Sequence, residues 1–165
     1  MIPKIIHYCW FGGNPLPALA VKCRESWKKY LPDYEIKEWN EDNFDVHSSQ
    51  YSSEAYQAKK YAYVSDYARF WVLYNEGGLY FDTDVEIIKP LDDIIAKGPF
   101  MGCEKDGDGA EGYPEVNPGI VLASTPQHPL IKEIVYLYNS LSFIKENPGA
   151  STGEYKTVVT YTSEI

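Results

Sequence analysis

Strands alternating with helices around a Gly-Gly turn predict an α/β fold with a central sheet, in which the chemistry sits at the strand ends. Three stretches carry that expectation: a short apolar run at the N-terminus, a helical pattern closed by Gly77 and Gly78, and a strand that leads directly into two aspartates at 82 and 84. At 165 residues with 44% apolar side chains, the chain has the size and composition of one globular domain.

The elements follow in order. "KIIHYCWF" (residues 4–11) reads as a first strand ending at Gly12, Gly13 and Pro15. "PALAVKCRESWKKYLP" (17–32) is a helix bracketed by prolines, with Leu19, Cys23, Trp27 and Tyr30 near one face. "DYEIKEWN" (33–40) is a second strand, alternating at Tyr34 and Ile36 and less cleanly at Trp39. Residues 45–53 are polar and Ser-rich and support no assignment, after which "SSEAYQAKKYAY" (52–63) becomes helical. "VSDYARFWVLYNEGG" (64–78) is the clearest helix, with Ala68, Trp71, Val72 and Asn75 near one face, Ser65 or a neighbour as cap, and glycine after its end.

The strand "LYF" (79–81) starts at once, and "DVEIIKP" (84–90) is expected to stay extended. "LDDIIAKG" (91–98) is a helical turn, "PFMGCE" (99–104) a short strand, and "KDGDGAEGYPEVNPG" (105–119) a long loop of the kind that often binds. "GIVLAS" (119–124) is a buried strand, followed by a helix in "HPLIKEIVYLYNSL" (128–141) with Leu130, Ile134, Leu137 and Leu141 on one side. Ser151 and Glu154 have capping-box spacing.

Charge and cysteine usage exclude several classes. A net charge of −9 and the absence of a basic stripe argue against nucleic acid as a partner. The three cysteines, Cys9, Cys23 and Cys103, share no metal-type spacing and read as buried free thiols in a reducing compartment. The N-terminal apolar run is far too short for a signal peptide or a membrane span. A cytoplasmic protein is expected, with peripheral contact at the inner face of a membrane left open. Fifteen tyrosines and four tryptophans supply flat surfaces suited to sugars and bases.

In an extended segment residues i and i+2 share a side, so Asp82 and Asp84 are expected to converge while Thr83 turns away. Converging carboxylates repel unless a proton or cation is shared, and hard oxygen ligands at a strand end suit Mg²⁺ or Mn²⁺ with substrate phosphates completing the shell. Asp66 and Arg69, at i and i+3, share a helical face that the glycine turn folds back beside them. A carboxylate can bind sugar hydroxyls and an adjacent guanidinium can hold phosphate, although the same spacing also makes a plain intrahelical ion pair. His7 reads as an interior strand residue and His128 as a helix-entry residue.

Two other aspartate chemistries fit the sequence less well. "FDTDVE" resembles the nucleophile strand of haloacid-dehalogenase-type phosphatases, but Asp92 and Asp93 follow too soon for that fold's second acidic pair. A calcium hand counted from Asp106 puts Glu111 where glycine is required and Asn117 at the terminal glutamate position. A non-catalytic sugar-binding module also stays open.

"IPKIIHYCWFGG", "YVSDYARFWVLYNEGGLYFDTDV" and "NPGIVLASTPQHPLI", in this order, resemble the D-x-D glycosyltransferases of family 32. Relatives include initiating mannosyltransferases, bacterial capsule transferases and, more distantly, clostridial toxin domains. The resemblance implies a GT-A fold, a nucleoside-diphosphate sugar donor with a carbohydrate acceptor, a divalent metal (Mn²⁺ or Mg²⁺) and retention of anomeric configuration. By position it implies that Trp10 borders the donor base and Tyr80 lines the donor pocket. Asp66 and Arg69 contact sugar and phosphate, Asp82 contacts ribose or metal-bound water, Asp84 binds the metal, and Asn117 reaches the sugar. Family members commonly continue into a His- and Trp-containing ending where this chain stops at "TYTSEI" (160–165). The expectation is one catalytic domain over 1–165 that lacks a C-terminal segment.

Overall fold

A computed structural model describes residues 1–104, 115–148 and 156–163. The first half of the chain builds a parallel unit. Strand β1 (Ile5–Cys9) leads through helix α1 (Ala18–Tyr30) to β2 (Glu35–Trp39), and then through α2 (Gln50–Gln57) and α3 (Tyr61–Glu76) to β3 (Gly78–Tyr80). Both β2 and β3 pair with β1 in parallel, on opposite sides of it. The later elements are α4 (Asp92–Ile95), β4 (Phe100–Met101), β5 (Leu122–Ser124), α5 (Pro129–Ser140), α6 (Phe143–Glu146) and α7 (Val158–Ser163). Antiparallel pairing of β5 with both β3 and β4 completes a five-stranded mixed sheet of order β2-β1-β3-β5-β4.

That order places a functional crevice by topology alone. The first crossover leaves β1 on one side and the second returns on the other, so a crevice opens beyond the carboxyl ends of β1 and β3. Strand parity then decides what faces it. Ile6, Tyr8, Leu79 and Phe81 pack with Cys23 and Trp27 of α1 on one face of the sheet, whereas Cys9 and Tyr80 pack with α2, α3 and α5 on the other. Two residues after Tyr80, Asp82 is aimed at the α3 side by the same alternation.

The same parity explains Trp39. It lies in the cluster with α3, whereas Ile36 packs against the α1 cluster, so the imperfect alternation marks a strand with an apolar contact on each face. His7 is fully buried. It accepts from Trp39 Nε1 at 3.0 Å through Nδ1 and donates through Nε2 to the Gly77 carbonyl at 2.8 Å. Burial lowers its pKa, which keeps the ring neutral and gives it a structural role. Gly78, at φ +110°, has no room for a side chain, since a Cβ would lie 2.6 Å from the Ile5 carbonyl oxygen. His128 is the N-cap residue of α5, as its position before Pro129 suggests.

Several expectations need correction. The buried face of α1 is Ala20, Cys23 and Trp27, with Leu19 exposed. The helix expected over 52–63 breaks after Gln57, where Lys59 adopts φ +56°, and Tyr61 already belongs to α3. Ser65 is therefore no cap: its hydroxyl donates to the Tyr61 carbonyl inside the helix at 3.2 Å. Helix α3 is buried on more than one face, through Val64, Tyr67, Ala68, Phe70, Val72 and Leu73, while Asn75 is exposed. On α5 the buried stripe is Ile131, Ile134, Val135 and Tyr138, and Leu130 is exposed. Cys9 and Cys23 are buried but Cys103 is exposed. Most of the long loop and the Ser151/Glu154 pair lie outside the described residues. Among the described residues, no helix is long and apolar enough to cross a membrane.

Candidate active site

An open cleft of about 410 Å³ lies at the carboxyl ends of β1 and β3, lined by Trp10 and Phe11 after β1, Tyr61, Ser65, Asp66 and Arg69 on α3, and Tyr80, Asp82, Thr83 and Asp84. A neighbouring hollow of about 490 Å³ shares Trp10, Asn14 and Tyr61 with it and runs toward Glu38 and Glu41 beside β2. The indole of Trp10 is pinned by a 2.6 Å hydrogen bond from Nε1 to the Asn14 carbonyl, which leaves its ring as a wall between the two hollows.

The floor is a network of buried charge. Arg69 Nη2 donates to Asp66 Oδ1 at 2.7 Å and lies 3.3 Å from Asp82 Oδ1. Its guanidinium sits 4.8 Å above the Tyr80 ring, and Tyr80 in turn donates its hydroxyl to Asp82 Oδ1 at 3.0 Å. The Arg69 and Asp66 side chains are 3% and 10% exposed, so this is no surface ion pair. The pair does not share its cost equally. Burial raises the Asp66 pKa to about 6 despite the opposing pull of Arg69. Burial alone would lower the Arg69 pKa, but Tyr80, Asp82 and Asp66 outweigh it and hold the guanidinium charged. Among the described residues Arg69 Nη1 has no hydrogen-bond partner although it is buried, so one strong donor is unused there.

The aspartate pair itself departs from the extended geometry expected of it. Strand β3 stops at Tyr80, Asp82 N donates to the Gly119 carbonyl at 2.9 Å, and Val85 N then donates to the Asp82 carbonyl at 3.1 Å, which closes a β-turn over Asp82–Val85. Aspartate is favoured at the first position of such a turn. Thr83 consequently lines the cleft with both aspartates and does not turn away, and the following residues do not continue as a strand. Asp82 stays half-buried against Arg69, whereas Asp84 is exposed.

This division fits a divalent cation in part. Among the described residues no group of three His, Cys, Asp or Glu could cage a metal. Two carboxylates, one of them open, form the sparse oxygen donor set that Mg²⁺ or Mn²⁺ accepts when water and phosphate complete the shell. Cys9 lines the same cleft, but burial pushes its thiol up to about 12, so it is no thiolate ligand.

Asn117 does not line the cleft. Its Oδ1 accepts from Gly119 N at 2.8 Å and its Nδ2 donates to Glu104 at 2.7 Å, which shapes the turn into β5. The residue that sequence reasoning passed over is Gly119 itself: a Cβ there would land on Asp82 Oδ2 and lie 3.0 Å from Arg69 Nη1. The "NPG" before the apolar run "IVLAS" was its only signal.

Residues 17–101, just over half of the chain, match the family described as the glycosyltransferase sugar-binding region containing a DXD motif. The chain belongs to that family. The match takes in Asp66, Arg69 and the Asp82–Asp84 pair. Among curated proteins the chain is 29% identical over 157 residues to an uncharacterized glycosyltransferase of Acanthamoeba polyphaga mimivirus, covering 92% of this chain and 59% of that protein. It is 26% identical over 148 residues to inositol phosphoceramide mannosyltransferase 1 of Schizosaccharomyces pombe, covering 82% and 42% respectively. It thus spans about half the length of these relatives. In fold it resembles the PaToxG glycosyltransferase, with a TM-score of 0.59 and 23% identity over 96% of this chain and 65% of that one. The fold is GT-A.

Proposed function

We propose that the chain carries the donor site of a metal-dependent, retaining hexosyltransferase that moves a sugar from a nucleoside-diphosphate sugar to a hydroxyl of a saccharide or other acceptor, as in polysaccharide biosynthesis. One observation carries the reading: a buried Asp66–Arg69 pair, the half-buried Asp82 bonded to it and an open Asp84 carboxylate meet in one cleft at the topological switch of the sheet. Relatives named as mannosyltransferases support transfer of a hexose.

Each side chain then has a task. Trp10 offers a flat wall to the donor base. Asp66, whose Oδ1 is held by Arg69, accepts from sugar hydroxyls. Arg69 holds Asp82 on one side and presents Nη1 to a sugar or phosphate oxygen. Tyr80 fixes Asp82 from below. Asp84 and Asp82 would hold the cation, whose chemistry when bound is to neutralise charge on the diphosphate leaving group. The bond from the anomeric carbon to the diphosphate oxygen breaks with its electron pair leaving on that oxygen. The acceptor oxygen bonds to the same face, and its proton passes to the departing phosphate. No carboxylate of the network is needed as a nucleophile, since Asp66 and Asp82 are both tied to Arg69.

A thermal-shift panel of UDP- and GDP-sugars with and without Mn²⁺ tests this. A metal-dependent rise in melting temperature with at least one donor is expected. No shift with any donor would contradict it, and turnover of phosphate esters through an acid-labile Asp82 phosphate would favour a phosphatase instead.

A further inference from the structure

Asn117 takes no part in lining the cleft, yet it is tied to the cleft through one residue. Its Oδ1 accepts from the Gly119 N–H at 2.8 Å, and its Nδ2 donates to Glu104 Oε1 at 2.7 Å. The Gly119 carbonyl in turn accepts from the Asp82 N–H at 2.9 Å. Asp82 is the carboxylate that Tyr80 and Arg69 hold at the cleft floor. Three consecutive hydrogen bonds therefore run from the exposed Glu104 to the half-buried Asp82.

The backbone at Asn117 is fixed without its side chain. Its N–H donates to the Gly102 carbonyl at 2.8 Å, its carbonyl accepts from Ile120 N at 3.2 Å, and the preceding Val116 forms a β-bridge with Cys103. What the side chain adds is a hold on Gly119, and Gly119 has no slack on its cleft side. An ideal Cβ there would land on Asp82 Oδ2 and lie 3.0 Å from Arg69 Nη1, so the backbone already fills the space beside both side chains. The Asn117 amide also has a direction. Only one of its two orientations gives Glu104 a donor and Gly119 an acceptor, so the Glu104 carboxylate selects the orientation in which Oδ1 faces the Gly119 N–H. A hydrogen bond to a carboxylate is charge-assisted, which strengthens that selection.

We propose that Asn117, oriented by Glu104, is a positioning residue: a latch that holds Gly119 against Asp82 and thereby sets the Asp82 carboxylate between Tyr80 and Arg69. The latch stands on the ligand-free geometry, while its consequence for a bound cation rests on the glycosyltransferase reading. A turn whose first residue loses a fixed partner for its N–H opens more readily, and the carboxylate it carries is then presented less uniformly to a cation.

The test reads amide hydrogen exchange by NMR in the ligand-free chain, at Asp82 and at Phe81, whose N–H donates to the His7 carbonyl at 3.2 Å and serves as the control. In Asn117→Ala the Asp82 amide is expected to exchange about tenfold faster while Phe81 changes by less than about twofold. Asn117→Asp keeps an acceptor for Gly119 but sets a second carboxylate against Glu104, and the same acceleration is expected. Adding Glu104→Gln to Asn117→Asp reverses donor and acceptor across that bond and is expected to return the Asp82 rate to within about twofold of native. Unchanged Asp82 exchange, or Asp82 and Phe81 accelerating together, overturns the latch, and a double variant that stays fast overturns the role of Glu104. The Mn²⁺ concentration giving a half-maximal thermal shift with nucleoside diphosphate is expected to rise about tenfold in Asn117→Ala and Asn117→Asp and to recover in the double variant. An unchanged half-point overturns the effect on the cation. If the native chain shows no Mn²⁺-dependent shift with any nucleotide, the proposed function fails while the exchange measurement still decides the latch. Should Asn117→Ala not fold, Glu104→Ala alters only an exposed side chain: a roughly threefold acceleration at Asp82 alone is expected, and none overturns the latch.

Discussion

Asp66 and Asp84 are the same residue eighteen positions apart, and the fold treats them in opposite ways. Asp66 is held on the long helix α3, buried and bonded to Arg69, in surroundings that raise its pKa to about 6. Asp84 lies exposed on the β-turn after β3. A buried carboxylate is costly and must be held by its neighbours, so its geometry is set before any ligand arrives. An exposed one costs little and stays available to a hydrated cation. Rigid recognition and open metal binding therefore come from adjoining elements, with Asp82 between them.

The largest break in this contrast comes from the buried side. Arg69→Leu leaves Asp66 and half-buried Asp82 without their common partner and is expected to cost about 3–5 kcal/mol, read as a lower denaturant midpoint. An unchanged midpoint would mean that the network is not held by charge.

A smaller effect follows from the Asp66 pKa. A carboxyl whose folded pKa is raised contributes stability below its unfolded value near 4, and that contribution is lost as pH rises through about 6. Asp66→Asn removes the loss. The variant is expected to gain on the native chain between pH 4 and 6 by about 2–3 kcal/mol and to hold that gain above pH 6, while sugar nucleotide binding is abolished. A difference in stability that does not vary with pH would show that Asp66 is charged throughout.

Gly119→Ala acts on the junction, because its Cβ lands on Asp82 Oδ2. A loss of about 1–3 kcal/mol is expected with a fall in turnover of about a hundredfold, since a shift of roughly 1 Å in a site residue has that effect. The smallest change is Trp10→Ala, which removes a stacking wall worth about 1–2 kcal/mol and weakens donor binding roughly tenfold with little effect on stability.

The contrast also explains what could be read in the sequence. The Asp66–Arg69 pair was legible because helical spacing places i and i+3 together, and Gly77–Gly78 announced the return beside β3. The strand parity that aims Asp82 at Arg69 was legible for the same local reason. The turn at Asp82–Val85 was not, because it depends on the Asp82 N–H reaching the Gly119 carbonyl, 37 residues away. Gly119 was hidden by that same long-range contact. The buried faces of α1 and α5 were read in part: Cys23, Trp27 and Ile134 are buried as expected, but Ala20 and Ile131 take the places given to Leu19 and Leu130, which are apolar yet exposed. Propensity reads apolar residues, and packing decides which of them count.

The most direct test of the division between the two aspartates is the melting temperature of the native and Asp84→Ala chains with a nucleoside diphosphate, with and without Mn²⁺. The account predicts equal melting temperatures for the two chains without ligand, a Mn²⁺-dependent rise in the native chain, and none in Asp84→Ala. A rise that survives the substitution, or a ligand-free Asp84→Ala chain that is clearly destabilised, would contradict it.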